Sequence, residues 1–342
     1  MKTMSALVYE APESMVMRTV DIPELGEGEV LIQVVYSGIC GSELSGFLGH
    51  SSIRRPPLIF GHEIVGRVVE VGPGIHHRAM VTTGCAVVIN PLSSCGACYF
   101  CSRGKQQLCT KRQLLGASRP GGNAQFVAVP IEGLHVLPDN LDLQVAALAE
   151  PAACAVHAVR AAQADAQCSA LVVGAGPIGL FILKVLAEYG VTPIWIAERN
   201  EARSKIAQDS GAHVLEGFGA DLSGAIREET EGRGVHLAFD AVGSAASRLS
   251  CMQGVMPGGT VILSGLHTDE TSLPLNSVVR SEISLTGAFA YTPADFETAL
   301  NWLGSGRLSL DSGVLTAPLG EGQQWYERLV AGDPAMKVLL EP

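Results

Sequence analysis

The sequence has few charged residues and no block of positive charge. Charged side chains make up 17% of the 342 residues, no run of lysine and arginine is longer than two residues, and the formal net charge is -11. Such a charge balance gives no electrostatic attraction for the phosphates of nucleic acid or for an anionic membrane surface. We therefore expect neither nucleic acid nor a membrane as a partner.

Long apolar runs are missing as well. The N-terminal residues 1–15 include Glu10 and Glu13 and lack the apolar core of a signal peptide. The most apolar helix-like stretch, residues 181–189, is short and contains Lys184 and Glu188, so it does not have the length or composition of a membrane span. The sequence thus predicts a cytoplasmic protein in a reducing compartment.

An even set of cysteines, which a disulfide framework would require, is also lacking. The chain has nine cysteines, and four of them lie within residues 95–109. In a chain of this length, such a cluster favours a metal site over disulfides. The hydrophobic content of 47% is enough for buried cores, and the length suggests about two domains.

The pattern of apolar residues changes near residue 145. Before it, short β-rich runs such as residues 29–36 and 64–71 are separated by glycine and proline. After it, apolar strands alternate with helices, which predicts an α/β fold with a parallel sheet covered on both faces. The predicted strands are 170–174, 194–198, 235–242, 259–265 and 283–289, and the predicted helices are 178–189 and 202–212. A last helix (294–303) and strand (337–341) are expected to pack back on the N-terminal part.

Four cysteines form the pattern C-x2-C-x2-C-x7-C, namely Cys95, Cys98, Cys101 and Cys109. Four thiolates at this spacing can surround one tetrahedral ion and leave no open position, which predicts a structural zinc. An iron–sulfur site also begins C-x2-C-x2-C but continues x3-C-P, whereas here the fourth cysteine comes later and Thr110 follows it. Four free buried thiols are the remaining alternative.

A glycine motif, GAGPIG, follows the predicted strand 170–174 and begins the next predicted helix; it contains Gly174, Gly176, Pro177, Ile178 and Gly179. In a βαβ unit, such a loop brings the backbone and a helix N-terminus close to the pyrophosphate of a dinucleotide. Glu198, at the end of the next strand, is placed to bind the adenosine ribose, which favours NAD. Arg199 and Arg203 leave NADP open, because an arginine here can bind the 2′-phosphate; solvated surface charge is the alternative.

Taken alone, other candidate residues have plain structural explanations. Cys40 lies in GICGSEL, His62 and Glu63 lie in GHE, and Glu150 lies in LAEPAACAVHA. A single cysteine is often a core thiol, and a histidine after glycine is often a turn residue. Ser42 can cap a helix that begins near Glu43.

Together these segments resemble the zinc-containing medium-chain alcohol dehydrogenases, and most of all their polyol (sorbitol-type) branch. The resemblance runs nearly end to end and includes GICGSEL, GHEIVGRVVEVGPG, NPLSSCGACYFCSRGKQQLC, GGNAQF, LAEPAACAVHAV, GAGPIG and FDAVG. It implies a GroES-like β-rich catalytic domain over residues 1–147, completed by residues 290–342. It also implies a Rossmann domain with a doubly wound parallel sheet over residues 148–289, and catalysis in the cleft between the two.

The same resemblance implies roles for single residues. Cys40 and His62 are expected to bind a catalytic zinc, Glu63 to bind it or stand just behind, and Glu150 to bind it directly or through water. Ser42 matches the hydroxyl that relays the proton from the alcohol in relatives. Relatives often have a histidine where this chain has Ser45, so an outer proton relay is not expected to follow the usual route.

The expected reaction is hydride transfer between NAD and a secondary hydroxyl of a polyol, sugar alcohol or related sugar derivative. Arg54 and Arg55 lie between Cys40 and His62, and they favour a phosphorylated or acidic sugar if they contact substrate; solvated surface arginines are the alternative. A threonine-type amino alcohol is a further candidate, and a non-catalytic zinc and dinucleotide-binding protein is the alternative from another class. Relatives are homodimers or homotetramers, so the resemblance implies self-association.

Overall fold

The computed structural model describes residues 2–75, 81–215, 220–310 and 312–342. The strands are β1 (Thr3–Ala11), β2 (Ser14–Asp21), β3 (Glu29–Gly38), β4 (Leu58–Ile59), β5 (Glu63–Val71), β6 (Ala86–Ile89), β7 (Leu92–Ser93), β8 (Gln113–Leu114), β9 (Phe126–Pro130), β10 (Leu134–Val136), β11 (Ala170–Val173), β12 (Ile194–Ala197), β13 (His213–Leu215), β14 (Val235–Asp240), β15 (Val255–Leu263), β16 (Ser284–Gly287), β17 (Val314–Pro318) and β18 (Lys337–Glu341). The helices are α1 (Gly41–Phe47), α2 (Leu143–Ala146), α3 (Ala149–Ala161), α4 (Pro177–Glu188), α5 (Glu201–Asp209), α6 (Ala220–Glu229), α7 (Ala245–Gly254), α8 (Leu275–Arg280), α9 (Pro293–Gly304) and α10 (Gly322–Val330). Within the described ranges, none of these helices is long and apolar enough to cross a membrane.

The chain divides into two compact units. The first unit contains residues 1–150 and 313–342, and the second contains residues 151–312. The first unit is β-rich, with sheets of order β2-β1-β4, β10-β6-β5-β3-β18-β17 (β9 also pairs with β3) and β7-β8. β18 pairs antiparallel with β3, so the expectation that the last strand returns to the N-terminal part is confirmed.

The central strands of the first unit are held by branched aliphatic side chains that fit a pleated, buried surface. Val30 and Ile32 of β3 pack in one cluster with Ile64 and Val68 of β5, and all four are almost fully buried. Each such burial contributes about 1.5–3 kcal/mol relative to exposure. This packing fixes the register of β3 against β5, which matters because both strands border the candidate metal ligands.

The second unit is built on a six-stranded parallel sheet of order β13-β12-β11-β14-β15-β16. This is the 3-2-1-4-5-6 order of doubly wound dinucleotide-binding folds, which bind ligands at the carboxyl ends of the strands where the order reverses. The reversal lies between β11 and β14. All four residues of β11 are buried, as expected for a central parallel strand covered on both faces. The predicted parallel α/β fold is therefore confirmed.

One predicted boundary differs from the structure. The returning part of the first unit was expected from residue 290 but begins at residue 313. The reason is α9, whose Asp295 accepts hydrogen bonds from Arg160 Nη1 (2.7 Å) and pairs with His157 Nδ1 (2.8 Å) of the second unit. Burial alone would raise the pKa of Asp295, but the hydrogen bonds from His157, Thr292 and Arg160 hold it far below its usual value.

Candidate active site

Strand pairing brings three of the predicted metal ligands together. Cys40 follows β3 as the N-cap residue of α1, and His62 and Glu63 stand at the start of β5. Gly38 at the end of β3 is paired with Glu63, so the turn after β3 delivers Cys40 beside β5. The ligand atoms of Cys40, His62 and Glu63 all lie within 4.8 Å of one another.

This donor set fits zinc. A thiolate, an imidazole and a carboxylate are all zinc ligands, and three protein ligands leave the open position that catalytic zinc sites keep. In addition, Glu63 Oε2 is buried and has no hydrogen-bond partner in the described part of the chain. A buried carboxylate oxygen without a partner is costly, and a cation held with Cys40 and His62 would satisfy it.

Glu150 is the fourth predicted ligand. It stands in the first turn of α3 and is 8% exposed, but its carboxylate is outside the group of three ligand atoms. The structure therefore brings Cys40, His62 and Glu63 together directly. The expectation that Glu150 completes the site, directly or through water, stays a prediction.

A buried carboxylate that the sequence did not single out orients His62. Glu43 Oε1 lies 2.6 Å from His62 Nδ1 and accepts the Gly61 backbone N–H at 3.0 Å, and Glu43 Oε2 accepts the Tyr326 hydroxyl at 2.8 Å. Burial would raise the pKa of Glu43, but the charge and hydrogen bond of His62 lower it. Because Nδ1 is held by this carboxylate, Nε2 is the ring nitrogen left for a metal.

Lys337 is a second residue that sequence reasoning missed. It lies at the start of β18, is 3% exposed, and donates from Nζ to Glu63 Oε1 at 2.6 Å and to the Ile39 carbonyl at 3.1 Å. Burial would lower the pKa of Lys337, but the charges of Glu63, Cys40 and Glu150 and the hydrogen bond to Glu63 raise it. A zinc ion held here and Lys337 would together balance the negative charges of Cys40, Glu63 and Glu150.

Ser42 and Arg54 lie beside this group. Ser42 donates from Oγ to Cys40 Sγ at 3.5 Å. The alternative that Ser42 caps a helix is wrong, because α1 begins at Gly41 with Cys40 as its N-cap. Arg54 is 5% exposed, so the interpretation of this residue as a solvated surface arginine is also wrong, whereas Arg55 is exposed.

The four-cysteine lobe has the geometry of a structural zinc site. The sulfur atoms lie 3.4 Å apart for Cys98 and Cys101, 3.5 Å for Cys95 and Cys109, and 4.0 Å for Cys95 and Cys101. A tetrahedral ion with Zn–S bonds of about 2.3 Å requires sulfurs about 3.8 Å apart. The backbone N–H groups of Cys101 and Phe100 and the neighbouring thiols lower the pKa of Cys98 to about 6, which favours the thiolate that zinc requires.

The glycine loop of the second unit allows other groups to come close to its backbone. Gly174 has φ +103, and a Cβ at Gly179 would lie 1.8 Å from the Gly174 carbonyl oxygen, so only glycine allows α4 to begin here. At Gly176 a Cβ would meet nothing within 4 Å, which leaves open space in front of the loop. Pro177 and Ile178 form the first turn of α4, where Pro177 is tolerated because its missing N–H has no helical partner.

Glu198 directly follows β12 and is fixed against this loop. Its Oε2 accepts the Ala175 N–H at 2.8 Å, and its Oε1 accepts the N–H groups of Arg199 at 2.7 Å and Asn200 at 2.9 Å. Asn200 in turn caps α5 by accepting the Arg203 N–H. The predicted dinucleotide residues are thus brought to the carboxyl end of β11 and β12.

Comparison with known proteins agrees with this geometry. The model of the alcohol dehydrogenase GroES-like domain matches residues 26–139, and that of the zinc-binding dehydrogenase domain matches residues 177–305. The chain is 31% identical to the D-arabitol-phosphate dehydrogenase of Enterococcus avium over 350 residues, which covers 99% of this chain and 98% of the relative. The chain belongs to the zinc-dependent medium-chain alcohol dehydrogenase family.

Two further similar proteins extend the comparison. The L-threonine 3-dehydrogenase of Pyrococcus furiosus is 32% identical over 300 residues, covering 85% of this chain and 84% of the relative. A solved structure from Escherichia coli CFT073, described as a short chain alcohol dehydrogenase and complexed with NADH, has a TM-score of 0.91 and 27% identity, with 99% of both chains covered. This medium-chain dehydrogenase is therefore a zinc enzyme, an oxidoreductase that uses a nicotinamide dinucleotide, and the non-catalytic alternative is set aside.

Proposed function

We propose that this dehydrogenase transfers hydride between NAD and a secondary hydroxyl of a polyol, sugar alcohol or phosphorylated sugar alcohol. The observation that carries the proposal is the group of Cys40, His62 and Glu63 within 4.8 Å, with the Ser42 hydroxyl 3.5 Å from Cys40 Sγ. The motif resemblance to the polyol branch and the similarity to an arabitol-phosphate dehydrogenase support the substrate class. The similarity to a threonine dehydrogenase makes an amino alcohol the competing candidate.

Each residue of the site has its own role in the proposed reaction. Cys40, His62 and Glu63 would hold zinc, which acts as a Lewis acid and lowers the pKa of an oxygen ligand to about 7 in the case of water. Ser42 Oγ is placed beside Cys40 to take up the hydroxyl proton of a bound alcohol while its own proton passes on to water. Glu43 holds His62 in the orientation and tautomer that binding needs, and Lys337 holds Glu63.

NAD is the proposed form of the cofactor. Three backbone hydrogen bonds fix the Glu198 carboxylate, and its oxygens keep lone pairs that can accept the hydroxyls of an adenosine ribose. The same negative charge would repel the 2′-phosphate of NADP. Arg199, the next residue, is the feature that favours NADP, so the comparison of the two cofactors belongs in the first assay.

A substrate panel tests this proposal. Polyols, sugar alcohols, their phosphates, sugar acids and threonine are each assayed with NAD and with NADP by the absorbance of the reduced cofactor. We expect turnover of a polyol or its phosphate with NAD, and a loss of about 10³-fold or more, or about 4 kcal/mol, in Cys40→Ser. Cys168→Ser, outside both metal-ligand groups, is the control. Zinc-loaded protein that oxidises only threonine, or that prefers NADP strongly, would contradict the proposal.

We also propose that the enzyme associates with a second copy through the outer edge of β16. In the described part of the chain, β16 pairs only with β15, and α8, which precedes it, has no buried residue. Leu275 and Val279 of α8 are 62% and 75% exposed, and apolar surface beside a strand edge favours pairing with another chain.

Light scattering tests the association. We expect the wild-type protein to be at least a dimer and Leu275→Asp/Val279→Asp to shift it toward the monomer, because charge is depleted at the centre of such interfaces. Val330→Asp, an exposed position in the first unit, should leave the mass unchanged. A monomeric wild-type protein at micromolar concentration would contradict the proposal.

A further inference from the structure

Arg54 is buried without an ion-pair partner within 4 Å among the described residues. It lies in the loop between α1 and β4, is 5% exposed, and uses its guanidinium for three hydrogen bonds to uncharged groups. Nε donates to the Gly116 carbonyl at 3.1 Å, Nη1 to the Ser42 carbonyl at 3.2 Å and Nη2 to Ser42 Oγ at 3.1 Å. Arginine is almost never fully buried unless it is paired. Here the charge of Arg54 lowers the pKa of Glu43 without a direct contact, and the guanidinium N–H groups bind Ser42 and Gly116 instead.

The surrounding chain makes room for this side chain. A Cβ at Gly46 would lie 2.7 Å from Arg54 Cδ, so a glycine on α1 is needed for the guanidinium to reach Ser42. The Phe60 ring lies 5.9 Å from the Arg54 guanidinium carbon. Gly116 presents its carbonyl from a left-handed turn with φ +68. The guanidinium is therefore held in one place by packing as well as by hydrogen bonds.

This contact restricts the Ser42 hydroxyl. Arginine has five N–H donors and no acceptor, so Ser42 Oγ can only accept from Arg54, and the single Ser42 proton must point elsewhere. The polar atom it reaches is Cys40 Sγ at 3.5 Å, on the side where the metal ligands lie. A planar fork that binds the Ser42 carbonyl and hydroxyl together fixes the side-chain rotamer, which a lysine ammonium would not do.

We infer that Arg54 is a positioning residue: it occupies one lone pair of Ser42 Oγ, the Ser42 proton points to Cys40 Sγ, and the second lone pair is left to accept the hydroxyl of a substrate beside Cys40. This inference rests on the proposed function for the role of Ser42 in proton transfer. It assigns Arg54 to the reaction through Ser42 and not to the binding of a substrate phosphate or carboxylate. The predicted consequence is that the effects of the two residues on turnover are not independent.

A double-mutant cycle tests this dependence. Arg54→Met is expected to lower kcat by about 10²-fold, the effect of a misplaced reacting group, with little change in KM. Ser42→Ala/Arg54→Met should be no slower than Ser42→Ala alone, because Arg54 acts through Ser42. Arg67→Met is the matched control: Arg67 is exposed, and its guanidinium also donates to a glycine carbonyl, that of Gly84. Additive losses in the cycle, or a rise in KM alone, would overturn the inference.

A second set of variants separates an effect on catalysis from an effect on folding. Arg54→Lys keeps the charge and Gly46→Ala displaces the side chain, and both are expected to lower kcat while zinc content and melting temperature stay near the wild-type values. A crystal structure of Arg54→Lys should show Ser42 in more than one rotamer; Ser42 in its original rotamer would refute the inference even if no alcohol is turned over. Turnover that is absent in the wild-type enzyme would instead count against the proposed function.

Discussion

Cys95→Ser/Cys98→Ser protein is expected to aggregate or to remain only partly folded. Four thiolates from one short segment hold the lobe around a single ion, and the binding of zinc to such sites in peptides contributes about 10–16 kcal/mol. That is comparable with the whole stability of a domain, about 5–15 kcal/mol. The double variant lacks two of the four sulfurs. The remaining cysteines, Cys101 and Cys109, are buried and cannot hold the ion alone. Zinc content and thermal unfolding measure the result.

Two controls separate this effect from simple loss of cysteine. Cys85→Ser changes a half-buried cysteine of the same unit that belongs to neither metal-ligand group, and it should fold and keep about two zinc ions per chain. Cys40→Ser should fold, lose about one zinc and lose activity. A cooperative unfolding transition of the double variant at the wild-type temperature would show that the lobe does not need its ion.

Lys337→Met is expected to destabilise the first unit by about 3–5 kcal/mol, the cost of leaving a buried charge without its partner. The charge left behind is that of Glu63, which is completely buried and whose Oε1 accepts from Lys337 at 2.6 Å. The pKa of Lys337 is raised above its ordinary value of 10.5. The stabilisation is therefore fully present below that value and is lost as the pH rises through the higher pKa of the folded state.

Denaturant unfolding of metal-free and zinc-loaded protein measures the effect of Lys337→Met. The loss should be larger without metal, because a cation held by Glu63 replaces part of the missing charge. Glu63→Gln/Lys337→Met should recover much of the stability, since it removes both charges. Lys205→Met, which breaks the exposed pair with Asp209, is the matched control and should change stability by less than about 1 kcal/mol. Equal losses in the two lysine variants would contradict the role given to Lys337.

The parts of the site that could be predicted from the sequence are those whose residues are close in the chain. The cysteine lobe spans residues 95–109, and the glycine loop with Glu198 lies in one βαβ unit. Their spacing alone limits the possible geometry. Cys40, His62 and Glu63 needed the family resemblance, because nothing local shows that β3 and β5 are paired.

The parts that were missed depend on tertiary packing. Tyr326 meets Glu43 across 283 positions and Lys337 meets Glu63 across 274, and no sequence period links positions so far apart. Arg54 and Arg55 stand side by side before two prolines, and composition cannot tell which of them is buried. The helix α9 lies in the second unit, and its partners His157 and Arg160 lie on α3, far earlier in the chain.

The contacts of β18 and α10 have a consequence for how the enzyme is made. Lys337 and Tyr326 lie 274 and 283 positions after Glu63 and Glu43, the two carboxylates that they hold. During synthesis the N-terminal part emerges from the ribosome first and has to wait for these residues. The four-cysteine lobe is local and can acquire zinc on the nascent chain. The contacts that hold Glu63 and Glu43 form only after α10 and β18 have been made, so the four-cysteine site can be filled before the catalytic pocket is complete.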